Sequence, residues 1–292
     1  MPQTHVNGIN IHYEEFGEGP DLVVAHGLLG SIATMPLFGD RLEAIAARGV
    51  HVIAYDARGH GGSGFSRRAS DYTWPALASD MRGLMRSLGV ERASIYGGSM
   101  GAGTAITLAL DHPDAVEKLI LNSPPPTGAD LKRIQPMFAG LALLYRLFGA
   151  RLTGRIVASL PRAGADPKFD IGAFLAGQRA EAIAAAIHGL FDGPRLPAYR
   201  YAEIMQPALI LTHPDDPIHP LRAGELLHER LPHAKLAVAP TRTYWEENPD
   251  ALAHVVASFV RGEPIAQGLP EHNHAPTAVA GDGNSGESTS TI

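Results

Sequence analysis

The sequence predicts an α/β fold: a mainly parallel sheet with helices on both faces and a helical cap inserted after the sixth strand. Three observations carry this reading. Short, mainly apolar runs alternate with segments of helical period. A glycine-flanked serine stands where one such run gives way to a helix. The alternation breaks once, over a long interval of helical character.

Taken in order, residues 6–16 alternate in a strand-like way around Asn7-Gly8, a hairpin turn signal. Apolar runs follow at 22–25, 50–55, 93–96 and 118–121, and two more at 208–211 and 235–238. Between them lie helical periods at 42–47, 74–88, 102–110 and 221–231. A last helix over 250–260 opens at Asn248-Pro249, a cap followed by proline. The interval 124–206 has helical spacing with Gly and Pro breaks and no convincing strand, so it reads as a cap within one domain of residues 1–263. Within it Met137, Phe138, Leu141, Leu144, Tyr145 and Phe148 recur at helical spacing, a face expected to pack on the main domain beneath it. Residues 264–292 are rich in Gly, Ser, Thr, Asn, Pro and Ala, and predict an unstructured tail.

Composition narrows the function classes. The chain has 292 residues, 45% hydrophobic and 18% charged, as in ordinary globular proteins. A net charge of -6 argues against nucleic acid and anionic membrane as main partners. The absence of cysteine excludes a disulfide framework, thiolate metal sites and a cysteine nucleophile. The first residues carry no basic start with an apolar run, and no stretch approaches the ~18 apolar residues of a membrane span, so a cytoplasmic location is expected. No phosphate loop, dinucleotide fingerprint or metal-ligand cluster stands in a suitable context, and no cofactor is expected. His272 and His274, in the tail, form at most an adventitious metal pair.

The chemistry concentrates in three segments. Gly97-Gly98-Ser99-Met100-Gly101 follows an apolar run and opens a helix, the pattern of a nucleophile elbow. Such a turn strains the serine backbone, and its glycines let strand and helix approach. The Ser99 hydroxyl is thereby expected at the helix N-terminus, which favours developing negative charge. His26-Gly27-Leu28 follows an earlier run. The Leu28 amide, with that of Met100, is placed to form an oxyanion hole, and His26 itself reads as a histidine that fixes the loop. His213-Pro214-Asp215-Asp216-Pro217-Ile218-His219-Pro220 sets two carboxylates just past a late strand. The Asp-Pro-x-x-Pro pattern singles out Asp216 as the acid, with a helix-capping carboxylate as the structural alternative.

With these segments in hand, residues 6–260 resemble the α/β-hydrolase superfamily of capped esterases, lactonases, epoxide hydrolases and C–C bond hydrolases. The matching residues are the His26 loop, Asp56-x-Arg58-Gly59-His60-Gly61-x-Ser63, the Ser99 elbow and the Asp216 loop. The resemblance implies a small-molecule substrate, and the apolar cap residues favour a hydrophobic ester, lactone or related carbonyl compound.

One departure stands out. The family places its general base after the last strand, as Gly-His shortly before a pair such as Asn-Pro. Here Thr241-Arg242-Thr243 precedes Asn248-Pro249, and no histidine occurs between His233 and His254. Arginine cannot serve as a base. Next to Asp216 it would form an ion pair instead, and that pairing is the expectation for Arg242. Three readings follow. A histidine from elsewhere substitutes as base, with His219 nearest in sequence and His213 flanking the same loop. Alternatively, Arg242 grips an anionic substrate or an oxyanion. Otherwise the protein binds a small apolar or anionic ligand under its cap without catalysis.

Overall fold

The computed structural model describes residues 2–160 and 169–265. The expected tail beyond Ile265, with its two histidines, lies outside the described residues. Ile265 itself is buried against the core, two residues past the boundary expected from composition.

Eight strands form one sheet: β1 (Gln3–Val6), β2 (Ile9–Phe16), β3 (Asp21–Ala25), β4 (His51–Tyr55), β5 (Ala93–Gly98), β6 (Val116–Asn122), β7 (Ala208–Thr212) and β8 (Ala234–Val238). Their spatial order is β1-β2-β4-β3-β5-β6-β7-β8. Strands β1 and β2 run antiparallel as a hairpin, and β2 is antiparallel to β4. All later pairings are parallel. The hairpin turns on Asn7 (φ 45°) and Gly8 (φ 80°), the left-handed pair that an Asn-Gly turn supplies.

Period-2 alternation explains why the sheet is covered twice. On β3, Leu22 and Val24 face one layer while Val23 and Ala25 face the other; Val52/Ala54 and Ile53/Tyr55 do the same on β4. One layer is built from α1 (Leu42–Ala46), α8 (Tyr244–Glu247) and α9 (Pro249–Arg261). The other holds α2 (Trp74–Ser87) and α3 (Met100–Asp111). Each fully buried Val, Leu or Ile stabilises the fold by roughly 1.5–3 kcal/mol relative to exposure.

Between β6 and β7 the described chain is helical: α4 (Gly128–Ser159), α5 (Ile171–Ala176), α6 (Ala180–Phe191) and a 3-10 turn at Ala198–Glu203. The break falls after the sixth strand, as the sequence predicts. Helix α4 is interrupted at Gly149, whose φ of 67° and ψ of 178° are not helical. One expectation for this helix needs correction. Phe138 and Tyr145 are buried and Leu141 and Leu144 half-buried, but Met137 and Phe148 point to solvent, so the apolar stripe is wider than the face that packs. Among the described residues no helix is long and apolar enough to cross a membrane. α7 (Leu221–Arg230) completes the fold between β7 and β8.

Candidate active site

The parallel strands deliver their C-terminal ends, and the loops that follow, to one edge of the sheet. At the end of β5 the chain turns into α3 through Ser99, with φ 49° and ψ -106°. That conformation is costly for an L-residue, on the order of 1–3 kcal/mol. Its neighbours make the turn feasible. A Cβ on Gly97 would lie 2.3 Å from the Gly101 backbone, and one on Gly101 would lie 2.2 Å from the Ala25 carbonyl oxygen. The Ser99 N–H donates to the Asn122 carbonyl on β6 (2.9 Å), and the Ser99 carbonyl accepts from Gly103 N–H (3.1 Å). Met100 is the first residue of α3, so its N–H has no partner within the helix.

The loop after β3 closes on this elbow: a Cβ on Gly27 would lie 3.3 Å from that of Ser99. Gly30 N–H donates to the Gly27 carbonyl (2.9 Å), with Leu28 and Leu29 (φ 70°) forming the turn between them. His26 clamps it from below. Its Nε2 accepts from Ala57 N–H (3.0 Å), which leaves Nδ1 as the donor to the Gly27 carbonyl (2.7 Å). Burial lowers the His26 pKa, which keeps the ring in that neutral form. The Asp56 segment locks the next loop in the same manner. Its carboxylate accepts from Ile32 N–H and Gly62 N–H and pairs with His12 Nδ1 (2.8 Å). Burial opposes the Asp56 charge, but those hydrogen bonds hold the carboxyl below its ordinary value.

The loop after β7 brings the remaining groups. Asp216 Oδ1 accepts from the N–H groups of Ile218 (2.7 Å) and His219 (3.0 Å), and this turn aims the His219 ring. His219 Nδ1 lies 3.0 Å from Asp216 Oδ2, and His219 Nε2 lies 2.7 Å from Ser99 Oγ. Burial works against charge on Asp216, yet the His219 ring and the two backbone donors hold its carboxyl far below the usual range. The same side chain thus serves as turn cap and ring partner. Asp215 is exposed. His213 is turned toward the Pro214 carbonyl (3.2 Å) and lies 3.6 Å from Asp216 Oδ2. Burial lowers its pKa; the Pro214 carbonyl and the Asp216 charge partly offset this, and His219 and Arg242 lower it further.

Arg242 does not sit where its sequence position suggests. Its side chain is exposed, and it is not among the residues lining the cavity above Ser99. Among the described residues the ion-pair partners of Asp216 within 4.0 Å are His213 and His219. The expected Arg242–Asp216 pair is replaced by an Asp216–His219 pair made within a single loop. A turn of three residues satisfies the carboxylate locally, and among the described residues no side chain from the loop after β8 lies within ion-pair distance of it.

Above Ser99 lies a cavity of about 370 Å³. Its floor holds Ser99, Leu28, Met100 and His219; the helical insert adds Leu131, Ile134, Phe138, Leu190 and Phe191. Lys132 and Arg195, both exposed, stand at its rim. The apolar lining agrees with expectation, but the two rim cations were not anticipated. Exposed Lys and Arg carry no periodic signal, and only the folded insert brings them to one opening. No group of three or more His, Asp or Glu side chains among the described residues could hold a metal ion.

Comparison with known proteins bears on the fold and the family. The sequence pattern of the family described as alpha/beta hydrolase fold matches residues 20–242. A 2-hydroxy-6-oxononadienedioate/2-hydroxy-6-oxononatrienedioate hydrolase of Comamonas testosteroni is 26% identical over 266 residues, 87% of this chain and 92% of its own. The enol-lactonase of Burkholderia xenovorans LB400 superimposes with a TM-score of 0.75 at 25% identity, over 89% of this chain and 100% of that one. A thermophilic esterase of Thermogutta terrifontis shares the fold, with a TM-score of 0.72 at 22% identity over 89% and 96%.

Proposed function

The chain belongs to the α/β-hydrolase family, and from that premise we propose that it is a serine hydrolase with a rearranged triad. In this reading Ser99 is the nucleophile, His219 the general base and Asp216 the residue that orients it. The substrate is a small apolar ester, lactone or related carbonyl compound. One observation carries the reading: the continuous contact from Ser99 Oγ to His219 Nε2 (2.7 Å) and from His219 Nδ1 to Asp216 Oδ2 (3.0 Å).

The chemistry follows from those contacts. With Nδ1–H donated to Asp216, the Nε2 lone pair takes the Ser99 proton as Oγ attacks the substrate carbonyl carbon. The resulting tetrahedral oxyanion accepts hydrogen bonds from the Leu28 and Met100 amides. Protonated His219 then gives its proton to the departing alkoxide, which leaves an acyl group on Ser99. Water, deprotonated by the same Nε2, attacks that acyl group and releases the acid. The 370 Å³ cavity suits a compact acyl or ring portion, and Lys132 and Arg195 favour a substrate with an anionic tail at the opening.

Hydrolysis of a panel of 4-nitrophenyl esters and lactones tests this. Turnover should fall by about a million-fold in Ser99→Ala and in His219→Ala, the scale seen when a serine hydrolase loses nucleophile or base. A His219→Ala protein that keeps parental turnover contradicts the assignment.

A further inference from the structure

Helix α4 presents two unlike faces. Ile134, Phe138, Ala142 and Tyr145 recur at three- and four-residue spacing and are buried, and the first two line the cavity. The opposite side of the helix carries Leu143 (53% exposed) and Leu147 (64%), with Met137 (53%) and Phe148 along the flank between the two faces and Leu152 beyond the Gly149 break. Isolated exposed apolar residues are ordinary, but this many on one element form a patch that needs an occupant.

Charge says which one. Helix α4 carries five cations, Lys132, Arg133, Arg146, Arg151 and Arg155, and a single acid, Asp130. The chain as a whole has a net charge of -6, so this element opposes the sign of the rest of the molecule. The side chains of Arg133, Arg146, Arg151 and Arg155 are exposed and have no ion-pair partner among the described residues. Long Arg and Lys stems flanking an apolar strip are the pattern of a helix lying in a membrane interface, its cations level with the headgroups. A second copy of the chain is a poor occupant, because a twofold pairing through this face would bring two sets of five cations together.

We propose that the outer face of α4 docks this protein on an anionic lipid surface. The patch and the cavity share one helix, so docking sets the opening beside Lys132 close to the interface. An apolar ester dissolved in lipid then has a short path to Ser99. Net charge averages over the surface, which is why the acidic composition argues against a membrane while this one element argues for one.

The test uses the full chain with vesicles of phosphatidylcholine alone or mixed with phosphatidylglycerol, followed by flotation. The expected result is binding to the mixed vesicles that weakens as salt rises, with little binding to phosphatidylcholine. Replacing Leu143 and Leu147 by Glu should reduce binding at least ~10-fold. Arg146→Gln with Arg151→Gln should cost about fivefold per cation. Both variants should keep parental melting temperature and parental turnover of a water-soluble ester, since neither pair lines the cavity. Absence of binding, equal binding to both vesicle types, or parental binding by the variants overturns the proposal. So does a dimer in sedimentation velocity that Leu147→Glu disperses, since that assigns the patch to self-association.

Discussion

At the residue scale the site turns on which side chain reaches Ser99. His219 does so because the Asp216 turn holds its backbone and ring together, so one loop supplies both groups. This makes a sharp prediction for Asp216→Asn. The amide can present N–H to the ring and favour the wrong tautomer, and turnover should drop by about ten-thousand-fold, as in other triads. Arg242→Ala should change kcat/KM by no more than a few-fold, because the guanidinium is exposed and away from the cavity. Steady-state kinetics of the two variants check this. A larger loss in Arg242→Ala than in Asp216→Asn would restore the arginine to the site. Ser99, Asp216 and the Leu28 turn were legible in the sequence because each stands in a strand-loop context that fixes its direction. The choice between His219 and Arg242 was not. Chain proximity says which residues can meet, while the direction of a side chain at a loop tip depends on local hydrogen bonds that no periodicity encodes.

At the element scale, the strands around the elbow carry a buried polar chain of a different kind. Tyr96 of β5 donates to the buried Asp40 carboxylate and accepts from the Asn122 side-chain amide of β6 (2.8 Å). Burial pushes the Asp40 carboxyl up to about 7, and the Tyr96 hydrogen bond only partly offsets it. An acid whose pKa is raised on folding holds its proton more tightly in the folded state. Its stability contribution is fully present below the unfolded value, ~3.9, and is lost as pH rises through about 7. Thermal melts should therefore show the parent losing stability relative to Asp40→Asn between ~pH 4 and ~pH 7, with the two curves parallel above. Parallel curves throughout would remove Asp40 as the cause. The strands themselves were readable from short apolar runs and the helices from their spacing. What the pattern could not give was which part of the α4 stripe packs. Met137 and Phe148 belong to the same apolar period as Phe138 and Tyr145, and periodicity cannot tell a buried face from an exposed one when both are hydrophobic.

At the scale of the whole molecule, parallel strands, loops and insert form one device. The C-terminal ends of β3, β5 and β7 bring the Leu28 amide, Ser99 and the Asp216–His219 loop to one edge, and the insert after β6 roofs them with apolar side chains. In the proposed reaction this apolar roof limits water at the site and so strengthens the hydrogen bonds to developing charge. In the proposed mechanism His219, and not a group after β8, activates Ser99. The most direct measurement is the rate of labelling by a fluorophosphonate, followed by intact-protein mass, in the parent, His219→Ala and Arg242→Ala. Stoichiometric labelling is expected at Ser99 in the parent and in Arg242→Ala, with a rate in His219→Ala lower by at least ~10³-fold. Parental labelling of His219→Ala, or loss of labelling in Arg242→Ala, would contradict that mechanism.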